Sequence, residues 1–90
     1  MSFEWDPRKA VANLSKHGLD FADVVGVFDD ERALWFRDDR HVEERHIIVG
    51  QDFMGRLAVI VFTTGQSELI RIISARKATT RESKQYWQTK

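Results

Sequence analysis

The chain has 90 residues, 42% hydrophobic and 11% aromatic, which is enough for one core and too few for two. It has no cysteine, which excludes disulfides and a thiolate zinc site. Its 14 basic and 14 acidic side chains cancel, which counts against a general nucleic-acid binder. That balance hides an asymmetry, because residues 20–45 carry nine acidic and four basic side chains and residues 66–90 carry six basic and two acidic.

Phe3-Glu4-Trp5 reads as a short extended piece at a sheet edge. Asp6-Pro7 opens a helix, with Asp as N-cap and Pro where its missing N–H costs nothing. The helix runs to His17 and stops at Gly18, which adopts a left-handed cap easily. Its apolar face is expected to be Ala10, Leu14 and His17, with Lys9, Asn13 and Lys16 on another face. Asp20 caps a second helix whose Phe21, Val24, Val25 and Phe28 repeat at helical spacing.

Four strands are then predicted, Ala33–Phe36, Glu44–Val49, Arg56–Thr63 and Glu68–Ala75. The joints between them, Arg37 to Arg40, Asp52 to Gly55 and Thr64 to Ser67, are too short for parallel crossovers. Thr79 and Glu82 form a capping box for a last helix carrying Tyr86 and Trp87. The expected class is α+β: two N-terminal helices, a four-stranded antiparallel sheet with the possible addition of the N-terminal edge strand, and a C-terminal helix in a single domain. No secretory signal is visible, and no apolar run approaches the roughly 20 residues that span a bilayer. A soluble, cytoplasmic protein is expected.

The chemistry-bearing residues are cationic. His41 and His46, with Glu43 and Glu44 between them, have opposite strand parity and no helical spacing, so no metal site is expected. Phosphate-cradling glycine loops are absent and Ser74 has no nucleophile elbow around it, so no cofactor is expected either. Arg71 interrupts an aliphatic strand, and an unpaired desolvated guanidinium is expensive, so it needs a partner. A carboxylate on a neighbouring strand would serve, and so would a phosphate. Arg45 shares parity with Ile47 and Val49, and Arg71 with Leu69 and Ile73, so both point to apolar sides of their strands. In a regular strand Arg76 would point away from Arg71, and joining them at one anion needs a bend near Ser74.

Cutting RNA without a metal needs a base for the 2′-OH proton, an acid for the leaving oxygen and fixed positive charge for the phosphorane. Histidine, with an ordinary pKa of about 6.5, suits the proton steps, and arginines suit the charge. Lys16 and His17 at a helix end, Arg45, Arg71, Arg76, Lys77 and Tyr86 are the available groups. Each has a plainer role open to it: His17 as packing or capping, Lys16 as a complement to the helix dipole. Of Tyr86 and Trp87, which cannot share a face, one belongs to the core and the other is free for a base or a partner.

Taken together, Phe3-Glu-Trp-Asp-Pro-Arg-Lys-Ala10, Asn13-x-x-Lys16-His17-Gly18, Phe21 to Phe28, Glu43-Glu-Arg45, Gly50 and Arg71-Ile-Ile-Ser-Ala-Arg-Lys-Ala78 resemble the BrnT family. These are the toxins of the BrnT/BrnA type II toxin–antitoxin systems. The resemblance spans nearly the whole chain and is most specific in the Arg71–Ala78 block and the Lys-His-Gly element. It implies a RelE-like fold and a ribonuclease that blocks translation by cutting RNA. It also implies a BrnA antitoxin that neutralises the toxin and carries the DNA-binding domain through which the complex represses its own operon. By motif match, the catalytic set would be Lys16, His17, Arg45, Arg71 and Arg76, with Lys77 and Tyr86 as RNA-binding residues. His46 departs from the pattern, standing where an aromatic is expected.

Two other classes remain open from the residues alone. One is a non-enzymatic binding module whose acidic middle receives a basic partner, with Arg71 tied to a carboxylate such as Glu44. The other is a DNA-binding regulator, disfavoured because neither N-terminal helix carries a run of basic and amide side chains.

Overall fold

The computed structural model describes residues 1–39, 44–65 and 68–88. The order of elements is β1 (Ser2–Glu4), α1 (Pro7–His17), α2 (Phe21–Val24), a 3-10 turn (Val25–Asp29), β2 (Leu34–Asp38), β3 (Arg45–Gln51), β4 (Leu57–Thr64), β5 (Leu69–Lys77) and α3 (Thr80–Gln88). None of these helices is long and apolar enough to cross a membrane.

The helix ends follow the local chemistry. Asp6 accepts a hydrogen bond from Arg8 N at 2.8 Å, and Gly18 closes α1 at φ 71°, donating its N–H to the Leu14 carbonyl. Asp20 caps α2 through Ala22 N at 3.0 Å. The predicted second helix tightens into the 3-10 turn after Val24. There Gly26 packs so closely on the β3–β4 turn that a Cβ would lie 2.6 Å from Phe53 N. The capping box of α3 is complete, with Glu82 N donating to Thr79 Oγ1 at 3.1 Å and Thr79 N to Glu82 Oε1 at 2.8 Å.

The sheet is five-stranded and mixed, in the order β1-β5-β4-β3-β2, and this corrects the expected four antiparallel strands. β2 through β5 are antiparallel as the short joints require, but β1 pairs parallel to β5, with Ser2, Phe3 and Glu4 opposite Leu69, Ile70 and Arg71. The short-joint argument governs consecutive strands only. β1 and β5 are separated by most of the chain, so a parallel pairing is sterically free.

One face of the sheet carries the core. Ile48, Ala58, Ile60, Phe62, Ile70, Ile72 and Ala75 meet Leu19, Phe21, Val24 and Val27 from the helical segment. Each of the larger side chains among these, the alanines aside, contributes roughly 1.5–3 kcal/mol on burial. Aromatic pairs seal the margins, Phe3 against Phe28 at 5.1 Å and Trp5 against Phe21 at 5.8 Å between centroids. His46 stacks on Phe62 at 5.4 Å and so fills a partly aromatic role in the packing.

The buried side chain of α1 is Asn13, at 8% exposure, while Leu14 is exposed; the expected apolar face is corrected accordingly. Asn13 Oδ1 accepts the Ala75 N–H at 3.1 Å and its Nδ2 donates to the Leu19 carbonyl at 3.2 Å. A polar residue is buried here because beyond the end of β1 the edge of β5 presents a backbone donor that must be satisfied. This bond lays α1 along that edge. At the far end of the sheet, buried Asp52 receives Arg56 through Nε at 3.0 Å and Nη2 at 2.9 Å. Arg56 Nη1 reaches the Gly18 carbonyl at 3.3 Å, which ties the β3–β4 hairpin to the α1–α2 turn.

Candidate functional site

The sheet face opposite the core is built in rows across the ladder. Arg76, Val59, Val49 and Leu34 are cross-strand partners in one row, and Ser74, Val61, Ile47 and Phe36 in the next. A third runs from Glu4 through Arg71 to Thr63, and the β3 register continues it to Arg45 and its β2 partner Asp38. The face is thus an apolar band with Arg71 and Arg76 at its β5 margin and Arg45 across from Arg71.

Arg71 and Arg76 share this face because β5 carries a β-bulge. Val61 pairs with Ser74 and Phe62 with Ile72, which leaves Ile73 as an extra residue. One inserted residue reverses the alternation of side chains along the strand, so positions five apart in sequence come to the same side. The bend that the sequence required near Ser74 is this bulge.

The two guanidiniums do not meet at one point in the free molecule; each carries its own carboxylate. Arg71 Nη1 lies 3.1 Å from Glu4 Oε2, with both side chains nearly half exposed (46% and 44%). The partner anticipated for Arg71, Glu44, is elsewhere, 3.6 Å from His46 Nε2. Arg76 makes a two-pronged pair with Glu82, Nη1 to Oε1 at 2.7 Å and Nη2 to Oε2 at 2.8 Å. That pairing raises the Arg76 pKa above its ordinary value and lowers the Glu82 carboxyl to about 2. Glu82 was visible in the sequence as a capping residue; its second role depends on where β5 delivers Arg76.

Between the arginines the face is open as a shallow recess lined by His17, Ile47, Val59, Val61, Ser74, Ala75 and Arg76. His17 reaches it from the end of α1, half-buried, because Asn13 holds that helix against the β5 edge. A neighbouring hollow, lined by Leu34, Phe36, Val49, Arg76, Glu82 and Gln85 among others, continues toward α3. The recess therefore joins an imidazole, a hydroxyl and a guanidinium drawn from two distant segments.

The remaining candidates are less central. Lys16 is exposed in the last turn of α1 and does not line the recess. Lys77 pairs with the core residue Ala58, which places it on the core side of the sheet, away from Arg76. Tyr86 is a correction: it is 1% exposed, and its hydroxyl donates to Asp30 Oδ2 at 2.5 Å, so no ring face is left for a base. Burial, reinforced by the Asp30 charge, pushes the phenol up to about 12. Trp87 is the exposed member of the pair, at 54%. Of the residues weighed as metal ligands, His41 and Glu43 lie outside the described residues, and no group of three ligating side chains occurs among the described ones.

Residues 5–82 match the model of the ribonuclease toxin BrnT of type II toxin–antitoxin systems. The chain belongs to the BrnT toxin family. Among solved structures it is similar to the crystal structure of the Brucella abortus ribonuclease toxin BrnT, at 29% identity and a TM-score of 0.71, over 89% of this chain and 99% of that one. No curated protein matches it. The family match covers both strands that bear the arginines, the end of α1 and Glu82, so the face described above lies within the BrnT-like region.

Proposed function

We propose that this member of the BrnT family is a metal-independent endoribonuclease that cuts RNA to inhibit translation and is neutralised by a BrnA-type antitoxin. The toxin–antitoxin complex would bind operator DNA through the antitoxin. The observation that carries the reading is the β-bulge at Ile73, which turns Arg71, Ser74 and Arg76 to one open face beside His17. A phosphodiester lying along the β5 margin meets Arg76 at the recess and Arg71 beyond it, with Arg45 supporting from β3. His17 is the proton-transfer group best placed for the 2′-OH or the leaving 5′-oxygen, and Lys16 is the alternative from the same turn. The arginine–carboxylate pairs are partly solvated and worth only about 0–1 kcal/mol each when exposed, so a phosphate can compete for the guanidiniums.

The test is RNA cleavage by purified protein in the presence of EDTA. Activity should persist with chelator and fall by about 100-fold or more in Arg76→Ala at unchanged folding. Loss of cleavage on chelation, or an unaffected Arg76→Ala, would overturn the reading. A second reading, a non-enzymatic module acting through a partner protein, is favoured by the carboxylates already seated on Arg71 and Arg76. Growth arrest on expression, relieved by the neighbouring gene product, separates the two, since a binding module would leave growth unchanged.

A further inference from the structure

We infer that Ser74 is a substrate-contacting residue whose hydroxyl donates a hydrogen bond to a non-bridging oxygen of the scissile phosphate; this rests on the ribonuclease reading of the same face. Three observations lead to it. Ser74 lines the recess between His17 and Arg76. Its hydroxyl makes no hydrogen bond to any described residue, although Ser74 is half-buried. Hydroxyls in such positions are satisfied by solvent or by a ligand. The third observation concerns Arg76. Glu82 occupies both terminal nitrogens of its guanidinium, and Nη1 also reaches the Lys77 carbonyl at 3.3 Å. Arg76 therefore cannot grip a phosphate with its full fork while that pair stands, and an anion held there needs a second donor.

Ser74 supplies it. Residues two apart on one strand face stand side by side, so Ser74 and Arg76 can approach the same phosphate from adjacent positions. The bulge adds Arg71 to this pair: without the extra Ile73, keeping Arg76 and Ser74 on this face would turn Arg71 to the other. The hydroxyl is not a nucleophile in this assignment. No covalent step passes through it, and the attacking oxygen remains the ribose 2′-OH.

The experiment compares the full-length wild-type chain with Ser74→Ala and Ser74→Thr on a short RNA containing the mapped cleavage site. The RNA is made with either an ordinary phosphate or a non-bridging phosphorothioate at that position. Loss of one hydrogen bond to a charged group predicts a fall in kcat/KM of about 10- to 100-fold for Ser74→Ala, with an unchanged Tm. Ser74→Thr should recover most of it. Sulfur accepts hydrogen bonds poorly, so the phosphorothioate penalty seen with wild type should shrink in Ser74→Ala, which a purely structural serine would not cause. Normal cleavage by Ser74→Ala, failure of threonine to restore it, or an equal sulfur penalty in both proteins would overturn the assignment. Absence of cleavage by the wild-type chain would instead remove the reaction, and with it this role.

Discussion

Glu82 holds Arg76 in a two-pronged ion pair, 2.7 and 2.8 Å, while the same carboxylate caps the N-terminus of α3 through Thr79 N. One side chain thus sets the rotamer of the β5 arginine and the start of the C-terminal helix. The linkage has a definite sign. The hydrogen bonds from Arg76 pull the Glu82 carboxyl from its ordinary 4.5 to about 2, so its stabilisation is present above pH 4.5 and is lost as pH falls toward 2. Because Arg76 is 44% exposed, solvent screening leaves about 1 kcal/mol of this. Urea titrations from pH 5 to 2 should show a steeper loss in wild type than in Glu82→Gln, which keeps an acceptor for Thr79 N but has no charge to titrate. Equal slopes would show that the pair contributes nothing.

Tyr86 and Asp30 clamp α3 to the loop before β2. Asp30 Oδ2 accepts from the Tyr86 hydroxyl and from Gln51 N at 2.8 Å. Burial would raise the Asp30 carboxyl, but the hydrogen bonds from Tyr86, Gln51 and Arg32 hold it below its ordinary value. Tyr86→Phe should cost about 1.5–3 kcal/mol in denaturant unfolding, the range for a hydrogen bond to a charged group. The Tyr86 pKa rises from 10 to about 12 in the folded state, so its contribution is complete below pH 10 and disappears as pH rises toward 12. The variant should lack that alkaline loss, and cleavage per folded molecule should be retained.

Gly50 faces the same clamp from β3. A Cβ there would stand 2.9 Å from Asp30 Oδ2, 3.0 Å from Val27 Cγ1 and 3.2 Å from Ala33 Cβ. Three neighbours from one packed segment cannot all retreat, so Gly50→Ala should destabilise by about 1–3 kcal/mol. A Tm equal to that of wild type would mean the segment shifts freely.

Asn13 bridges α1 to β5 and to the Leu19 carbonyl. Asn13→Leu leaves the buried Ala75 N–H without an acceptor and should cost about 1–3 kcal/mol. It should also lower RNA cleavage beyond the loss of folded protein, because His17 is carried to the recess by the same helix. Rates that track only the folded fraction would show that α1 keeps its place without the amide.

Much of this molecule is decided within a few residues of chain. The Asp6, Asp20 and Thr79 caps, the Gly18 stop, and the antiparallel order of β2 to β5 follow from side-chain and backbone hydrogen bonds spanning two to four positions and from joints too short to cross over. These were legible before any fold was known. So were the cationic candidates, since Arg71 and Arg76 stand out against their aliphatic neighbours.

What waited on the tertiary structure are relationships between segments far apart. β1 lies parallel to β5, and Glu4 reaches Arg71 across 67 positions. The bulge at Ile73 cannot be inferred from alternation, because it is a break in alternation, and it alone brings Arg71 and Arg76 to one side. The choice of Tyr86 over Trp87 for the core, and of Asn13 over Leu14 for the buried face of α1, turns on which backbone donor or carboxylate happens to stand opposite. Local pattern determines which elements form. Register and burial, which reward satisfied polar groups at a distance, decide which of their side chains share a site.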